Sequence, residues 1–295
     1  MRITESLVYK LMGTETLRAQ ANMEKAARPL MTGRKISRPS EDPALADQTN
    51  KMEREFTKTT QLKRNIDRTR SYYSIVDATV QNVSDVLIEL QTLAISQAND
   101  MLGPNERLAG SAEAKQLADT LAGFANGRFD GKYLFSGRLE GTPAYDAAFN
   151  FTGDAIGRKV QIGENVQINA HITGVQIFGN DALGDVTAFQ AANNLITALN
   201  ANNTAGITAA LGELNDSHER VTVSQAKVGS RLSELQSTEF LLEDLNLARK
   251  SAYARVTSVD VTVAASEMAF AENVLQASID TARQLNRSMF QNMIG

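Results

Sequence analysis

The chain has 295 residues, 42% of them hydrophobic and 6% aromatic, with no cysteine, no tryptophan and two histidines. Disulfides, thiolate metal sites and cysteine nucleophiles are thereby excluded, and His171 and His218 cannot build a multi-histidine metal centre. Thirty lysines and arginines against 34 acids give a net charge of −4, which does not describe a nucleic-acid-binding surface.

The hydrophobic share lies a little under the usual range for globular domains, which points to small side chains and the thin core of a bundle. Residues 1–40 are the basic exception, with eight lysines and arginines against three glutamates. No aromatic residues interleave them for base stacking, so a solvated helix face or a protein contact is the expectation. Met1 to Gly13 carries Glu5 and alternates polar with apolar residues, so no Sec-type signal peptide is expected. Val186 to Gly212 is uncharged, but its asparagines argue against a membrane span.

In chain order, residues 1–30 have a helical pattern through Ile3, Leu7, Leu11, Leu17 and Ala21. Gly33 suits the left-handed position that closes this helix, Arg34, Lys35 and Arg38 follow beyond its negative end, and Asp42-Pro43 caps the next helix. That helix is expected from about 43 to 99. Its seam of Leu62, Ile66, Thr69, Tyr73, Val76, Val80, Val83, Leu87, Leu90 and Ala94 alternates spacings of four and three, the mark of a coiled coil. Gly103-Pro104 starts a shorter helix through Leu108, Leu117, Leu121 and Phe124 that should end near Arg128.

Glycine-bounded runs at 132–135, 148–151, 158–162 and 165–169 then predict strands and hairpins. Helix resumes at 186–200 along Phe189, Ala192, Ile196 and Leu199. A second seam runs Ile207, Leu211, Leu214, His218, Val221, Gln225, Val228, Leu232, Leu235, Glu239 and Leu242. It is a natural antiparallel partner for the first, its polar members fixing register or reaching solvent. Residues 245–285 show a last helical stripe through Leu245, Ala252, Val256, Val259, Val263, Phe270, Val274 and Ala277. Both terminal stripes are thin, so they are expected to order on assembly with other chains, the alternative being a closed bundle within the chain that includes both ends.

The expected fold is mainly α, an elongated antiparallel helical bundle or coiled coil with a small β-rich head inserted between the helices. The expected divisions are 1–42, 43–130, 131–185 (the head), 186–244 and 245–295. Asn126 to Gly137 opens like a calcium loop but lacks its carboxylates, and Gly179 to Gly184 has phosphate-loop spacing with Asp185 where lysine is needed. With no nucleophile elbow or metalloprotease motif either, no enzyme, metal or cofactor is expected.

The segment Leu30 to Pro43 is the most specific. Arg38-Pro-Ser-Glu-Asp-Pro43 resembles the interhelical loop of the bacterial flagellin superfamily, in its hook-associated rather than its flagellin form. The similarity continues through Asn65-Ile-Asp-Arg, Ser71-Tyr-Tyr-Ser, Leu93-Ala-Ile-Ser-Gln-Ala-Asn, Gly131-Lys-Tyr-Leu-Phe-Ser-Gly, Phe151-Thr-Gly-Asp, Val175-Gln-Ile-Phe-Gly and the closing Ser288 to Ile294. The resemblance implies a structural subunit of the extracellular flagellum, joining hook to filament by intermolecular coiled-coil packing of its termini. It implies export without a cleaved signal through the flagellar type III apparatus. Implied partners are further copies of the chain, the first hook-associated protein, flagellin and an export chaperone, with neither nucleic acid nor membrane insertion. Joined to the residue pattern, this assigns Leu7, Leu11, Leu17, Val256, Val263, Phe270 and Val274 to the assembly interface. Arg34, Lys35 and Arg38 would face acids on a neighbour, such as Glu234, Glu239, Glu243 and Asp244. A flagellin-like filament subunit, or an adhesin acting through residues 131–185, are the alternatives.

Overall fold

A computed structural model describes residues 2–180 and 185–294, and the side chains among them from Leu7 onward except 8, 9 and 289–294; the glycine-spaced 179–184 segment thus lies largely outside the described residues. The described elements are α1 (Arg2–Thr32), α2 (Pro43–Gln97), α3 (Pro104–Ala125), β1 (Arg128–Phe129), β2 (Lys132–Tyr133), β3 (Lys159–Gln161), β4 (Gln167–Asn169), α4 (Gly174–Phe178), α5 (Ala188–Asn200), α6 (Thr204–Thr257) and α7 (Val261–Ile294). The fold is mainly α with two small antiparallel sheets, β1 with β2 and β3 with β4. Two compact units divide the chain. One comprises residues 1–58 and 244–295, the other residues 59–243.

In the 59–243 unit the long helices run antiparallel. Lys63 pairs with Glu243, Gln225 Nε2 donates to Gln81 Oε1 (2.7 Å), His218 Nε2 meets Ser84 Oγ (3.1 Å), and Gln91 Nε2 donates to the Leu214 carbonyl (3.3 Å). Numbers thus fall on α6 as they rise on α2. The polar seam members His218, Gln225 and Glu239, the last paired with Arg70, all reach across to α2, and each fixes the same register. Every expected α2 seam residue from Leu62 to Ala94 is buried, Thr69 included.

On α6 the seam differs from the expected ladder. Ile207, Leu214, Val221, Val228, Leu235 and Leu242 are buried as expected, whereas Leu211 and Leu232 are half-exposed at its edge. Ala210, Ser217 and Ser224, each 1% exposed, lie one position before the expected Leu211, His218 and Gln225 and are buried there. At Ser224 the head comes close, and a small side chain admits its backbone, Ser224 Oγ donating to the Gln176 carbonyl (2.8 Å).

The head is less regular than its glycine spacing suggests. Residues 148–151 form no strand, only the isolated bridge of Tyr145 with Phe151, and Val175 to Phe178, taken from the sequence as part of a β-rich head, is helical. Hairpin β1–β2 begins at Arg128, and its turn residues Asp130 and Gly131 both have positive φ (52° and 75°), as a tight two-residue hairpin turn requires. The calcium-like opening is thus a turn. Phe135, Tyr145, Phe178 and Phe189 form a buried aromatic core, and Gly174 lies so close to the Tyr145 ring that a Cβ there would sit 2.8 Å from it. Tyr72 fastens the head to α2: its buried hydroxyl donates to the Leu134 carbonyl (2.8 Å) and accepts from the Ile172 N–H (3.2 Å). Tyr73 Oη adds a bond to the Asn169 carbonyl (2.9 Å).

Candidate assembly surface

The unit of residues 1–58 and 244–295 contains every residue assigned from sequence to assembly. Its local structure follows from short-range chemistry. Helix α1 continues through Pro29 and closes at Gly33, where φ is +68° and the amide donates to the Pro29 carbonyl (2.8 Å). Asp42 Oδ1 caps α2 by accepting from the Leu45 N–H (2.9 Å). The region 245–295, read from sequence as one terminal helix, is two: α6 ends at Thr257 and α7 restarts under Asp260, whose Oδ1 accepts from the Thr262 N–H (2.9 Å).

The two connections pair with each other. The Lys35 N–H donates to the Thr257 carbonyl (2.7 Å), the Val259 N–H donates to the Gly33 carbonyl (3.2 Å), and Arg34 bridges Ser258. Glu41 Oε2 accepts from the Ser37 and Arg38 amides (2.8 and 3.2 Å), and these bonds hold its carboxyl below the usual carboxylate range. Arg34, Lys35 and Arg38 are exposed and form no ion pair among the described residues. Three of the acids expected to face them from a neighbour are engaged within their own chain: Glu234 with Arg231, Glu239 with Arg70 and Glu243 with Lys63. Only Asp244 of that set shows no ion pair among the described residues.

Helices α1 and α7 pack on each other within the single chain. The pairing is antiparallel. Thr16 meets Ser278 (3.5 Å between hydroxyls), while the end of α1 lies beside the start of α7. The residues withdrawn from solvent include Met12, Thr16, Ala19, Met23, Ala26 and Leu30 on α1, and Ala264, Met268, Ala271, Leu275, Ser278 and Ala282 on α7. Both sets alternate spacings of four and three. The sequence carries this seam mostly on alanine, methionine, threonine and serine, with Leu30 and Leu275 its large aliphatic members, so a search for large aliphatics passes over most of it. Among the described residues of this unit the buried apolar ones are alanines, Ala19, Ala46 and Ala264.

The large apolar residues lie elsewhere. Leu7, Leu11 and Leu17 are 63%, 62% and 66% exposed and occupy the side of α1 away from the seam. Val263, Phe270 and Val274 each precede a seam residue by one position, hence about 100° round α7, and Phe270 is 71% exposed. Val256 stands apart from them, half-buried on α6. Each terminal helix thus has two apolar faces, one closed mostly by small side chains and one open with large ones.

Among the described residues no group of three or more histidine, cysteine, aspartate or glutamate side chains is placed to hold a metal ion, and no helix is long and apolar enough to cross a membrane. Comparison with known proteins agrees with the architecture. Residues 4–139 match the bacterial flagellin N-terminal helical region. The chain is 23% identical to flagellar hook-associated protein 3 of Salmonella typhimurium over 314 aligned residues, covering 99% of each chain. It is also 23% identical to the flagellar filament 30.7 kDa core protein of Treponema maltophilum, covering 90% of this chain and 94% of that one. Among solved structures, the hook-associated protein 3 of Legionella pneumophila superposes with a TM-score of 0.63 at 13% identity, over 70% of this chain and 98% of that chain. The chain thus resembles the bacterial flagellin N-terminal helical region over residues 4–139 and, over nearly its whole length, is similar to flagellar hook-associated protein 3 and to flagellar filament core proteins.

Proposed function

We propose that the chain is the subunit that joins the flagellar hook to the flagellin filament, assembling outside the cell after export without a cleaved signal. The observation that carries the reading is the second apolar face on α1 and α7. A lone chain leaves Leu7, Leu11, Leu17, Val263, Phe270 and Val274 in water while closing its seam mostly on alanine and methionine. Neighbouring copies, the first hook-associated protein on one side and flagellin on the other, would bury those faces as further coiled-coil seams. Arg34, Lys35 and Arg38, which form no ion pair among the described residues, would meet acids on adjacent subunits, although Glu234, Glu239 and Glu243 are now poor choices for them. Val256, half-buried already, would support the interface from beneath. An export chaperone would cover the same apolar faces before assembly.

The test is genetic. A strain lacking the chain should build a complete hook and release flagellin into the medium, and the wild-type chain should restore attached filaments. The double variant R34E/K35E should restore them poorly while keeping the helicity of the purified chain. The similarity to Treponema filament proteins supports the other reading, a filament subunit. Purified chain that grows alone into long filaments would establish that reading and refute the junction role.

A further inference from the structure

The head contains a cavity of about 210 Å³ that the assembly role does not use. Its residues all belong to the 59–243 unit. The rings of Tyr72, Phe129 and His171 form its apolar wall, with Tyr72 edge-on to both of the others at centroid distances of 6.5 and 4.7 Å. Tyr72 has no polar capacity to offer, since its hydroxyl is bonded to the backbone of Leu134 and Ile172. Arg68, from α2, and Arg158, just before β3, stand at the rim, and neither forms an ion pair among the described residues. Two carboxylates also line it: Glu140, which is neutralised by Lys132, and Asp130 at the hairpin turn. His171 Nδ1 is buried there without a hydrogen-bond partner.

This set selects a ligand. Two unpaired guanidinium groups suit one carboxylate, which they can grip through planar paired hydrogen bonds. A phosphate dianion is disfavoured, because Asp130 lies on the same lining as the paired Glu140 and would repel its second charge. Those two carboxylates are acceptors, so they suit hydroxyl groups on the ligand. The aromatic wall suits the apolar face of a ring, and the volume lies below that of drug-sized pockets, enough for one ring and no more. We infer that this cavity binds a single pyranose carrying a carboxylate, a hexuronate, with Arg68 and Arg158 on the carboxylate and the Tyr72–Phe129 wall against the ring. The ligand could be the free sugar acid or the end of an acidic polysaccharide, and the site is independent of the assembly faces.

Calorimetric titration of the full-length chain with galacturonate at neutral pH tests this. Saturable binding at millimolar concentration is expected. Galactose, which lacks the carboxylate, and acetate, which lacks the ring, should each bind about tenfold more weakly or worse. Arg158→Gln and Arg68→Gln should each weaken galacturonate about tenfold while leaving the melting temperature unchanged. Tighter binding of a galacturonate oligomer would support the polysaccharide end as the source, and equal binding would support the free acid. No saturable heat would overturn the inference. So would acetate or galactose binding as well as galacturonate, or undiminished binding by Arg158→Gln in a chain that melts normally.

Discussion

Replacing Phe270 by alanine separates the two apolar faces of α7. In the single chain the ring is 71% exposed, so its loss removes little buried surface, and monomer stability should change by less than about 0.5 kcal/mol. Full burial of a phenylalanine side chain stabilises by roughly 1.5–3 kcal/mol, and about seven-tenths of that is still available to a neighbour, or about 1–2 kcal/mol per contact. At about 1.4 kcal/mol per factor of ten, each subunit contact should weaken about 5- to 30-fold. The effect multiplies around a closed array. Ala19→Leu is the converse: Ala19 is 5% exposed in the α1–α7 seam, and overpacking there should cost about 1–3 kcal/mol in the monomer. Urea denaturation of the purified variants reads the first quantity, and complementation of a deletion strain, scored by attached filaments, reads the second. A Phe270→Ala chain that is clearly destabilised alone, or that restores filaments as well as wild type, would refute the two-face account.

Three further outcomes are expected from the 59–243 unit. Tyr72→Phe strands the buried Leu134 carbonyl and Ile172 amide and should lower unfolding free energy by about 1–3 kcal/mol in urea titration. Leu87→Ala deletes a fully buried seam residue of α2 and should cost about 2–5 kcal/mol by the same measurement. Stability should also fall at both pH extremes. Burial pushes His171 below its usual value even though Glu140 partly offsets this and Arg158 and Lys132 lie near. The unfolded chain therefore binds the proton first, and the contribution of neutral His171 is complete above about pH 6.5 and shrinks as pH falls below it. Burial raises Tyr72 and Tyr145, so the unfolded chain loses those protons first and stability declines as pH rises beyond about 10. Thermal melts from pH 5 to 11 would check both signs, and His171→Phe should flatten the acid side.

Much of this protein was determined by sequence alone, because heptad spacing and capping are local. The α2 seam is legible residue by residue, since its large side chains recur at fixed intervals and all face one partner. The same holds for Gly33 at the end of α1 and Asp42 at the start of α2, where one residue satisfies one turn of backbone. The leucines of α1 and the cations Arg34, Lys35 and Arg38 are assigned to an interface from the sequence pattern joined to the family resemblance, and all of them are exposed in the chain.

Tertiary structure decided which stripe closes within the chain. On α6 the helix period allows Leu211 or Ala210, and His218 or Ser217, to face inward, and the small residues are the buried ones, with the head coming close at Ser224. Helices α1 and α7 repeat the choice, packing mostly alanine and methionine together and leaving Leu7, Leu11, Leu17 and Phe270 in water. The cavity in the head depends on distant segments, with Arg68 on α2 meeting Arg158 and His171 only after the chain has folded back. Periodicity fixes how far apart side chains lie round a helix, and volume against a neighbour fixes which of two neighbouring stripes is buried.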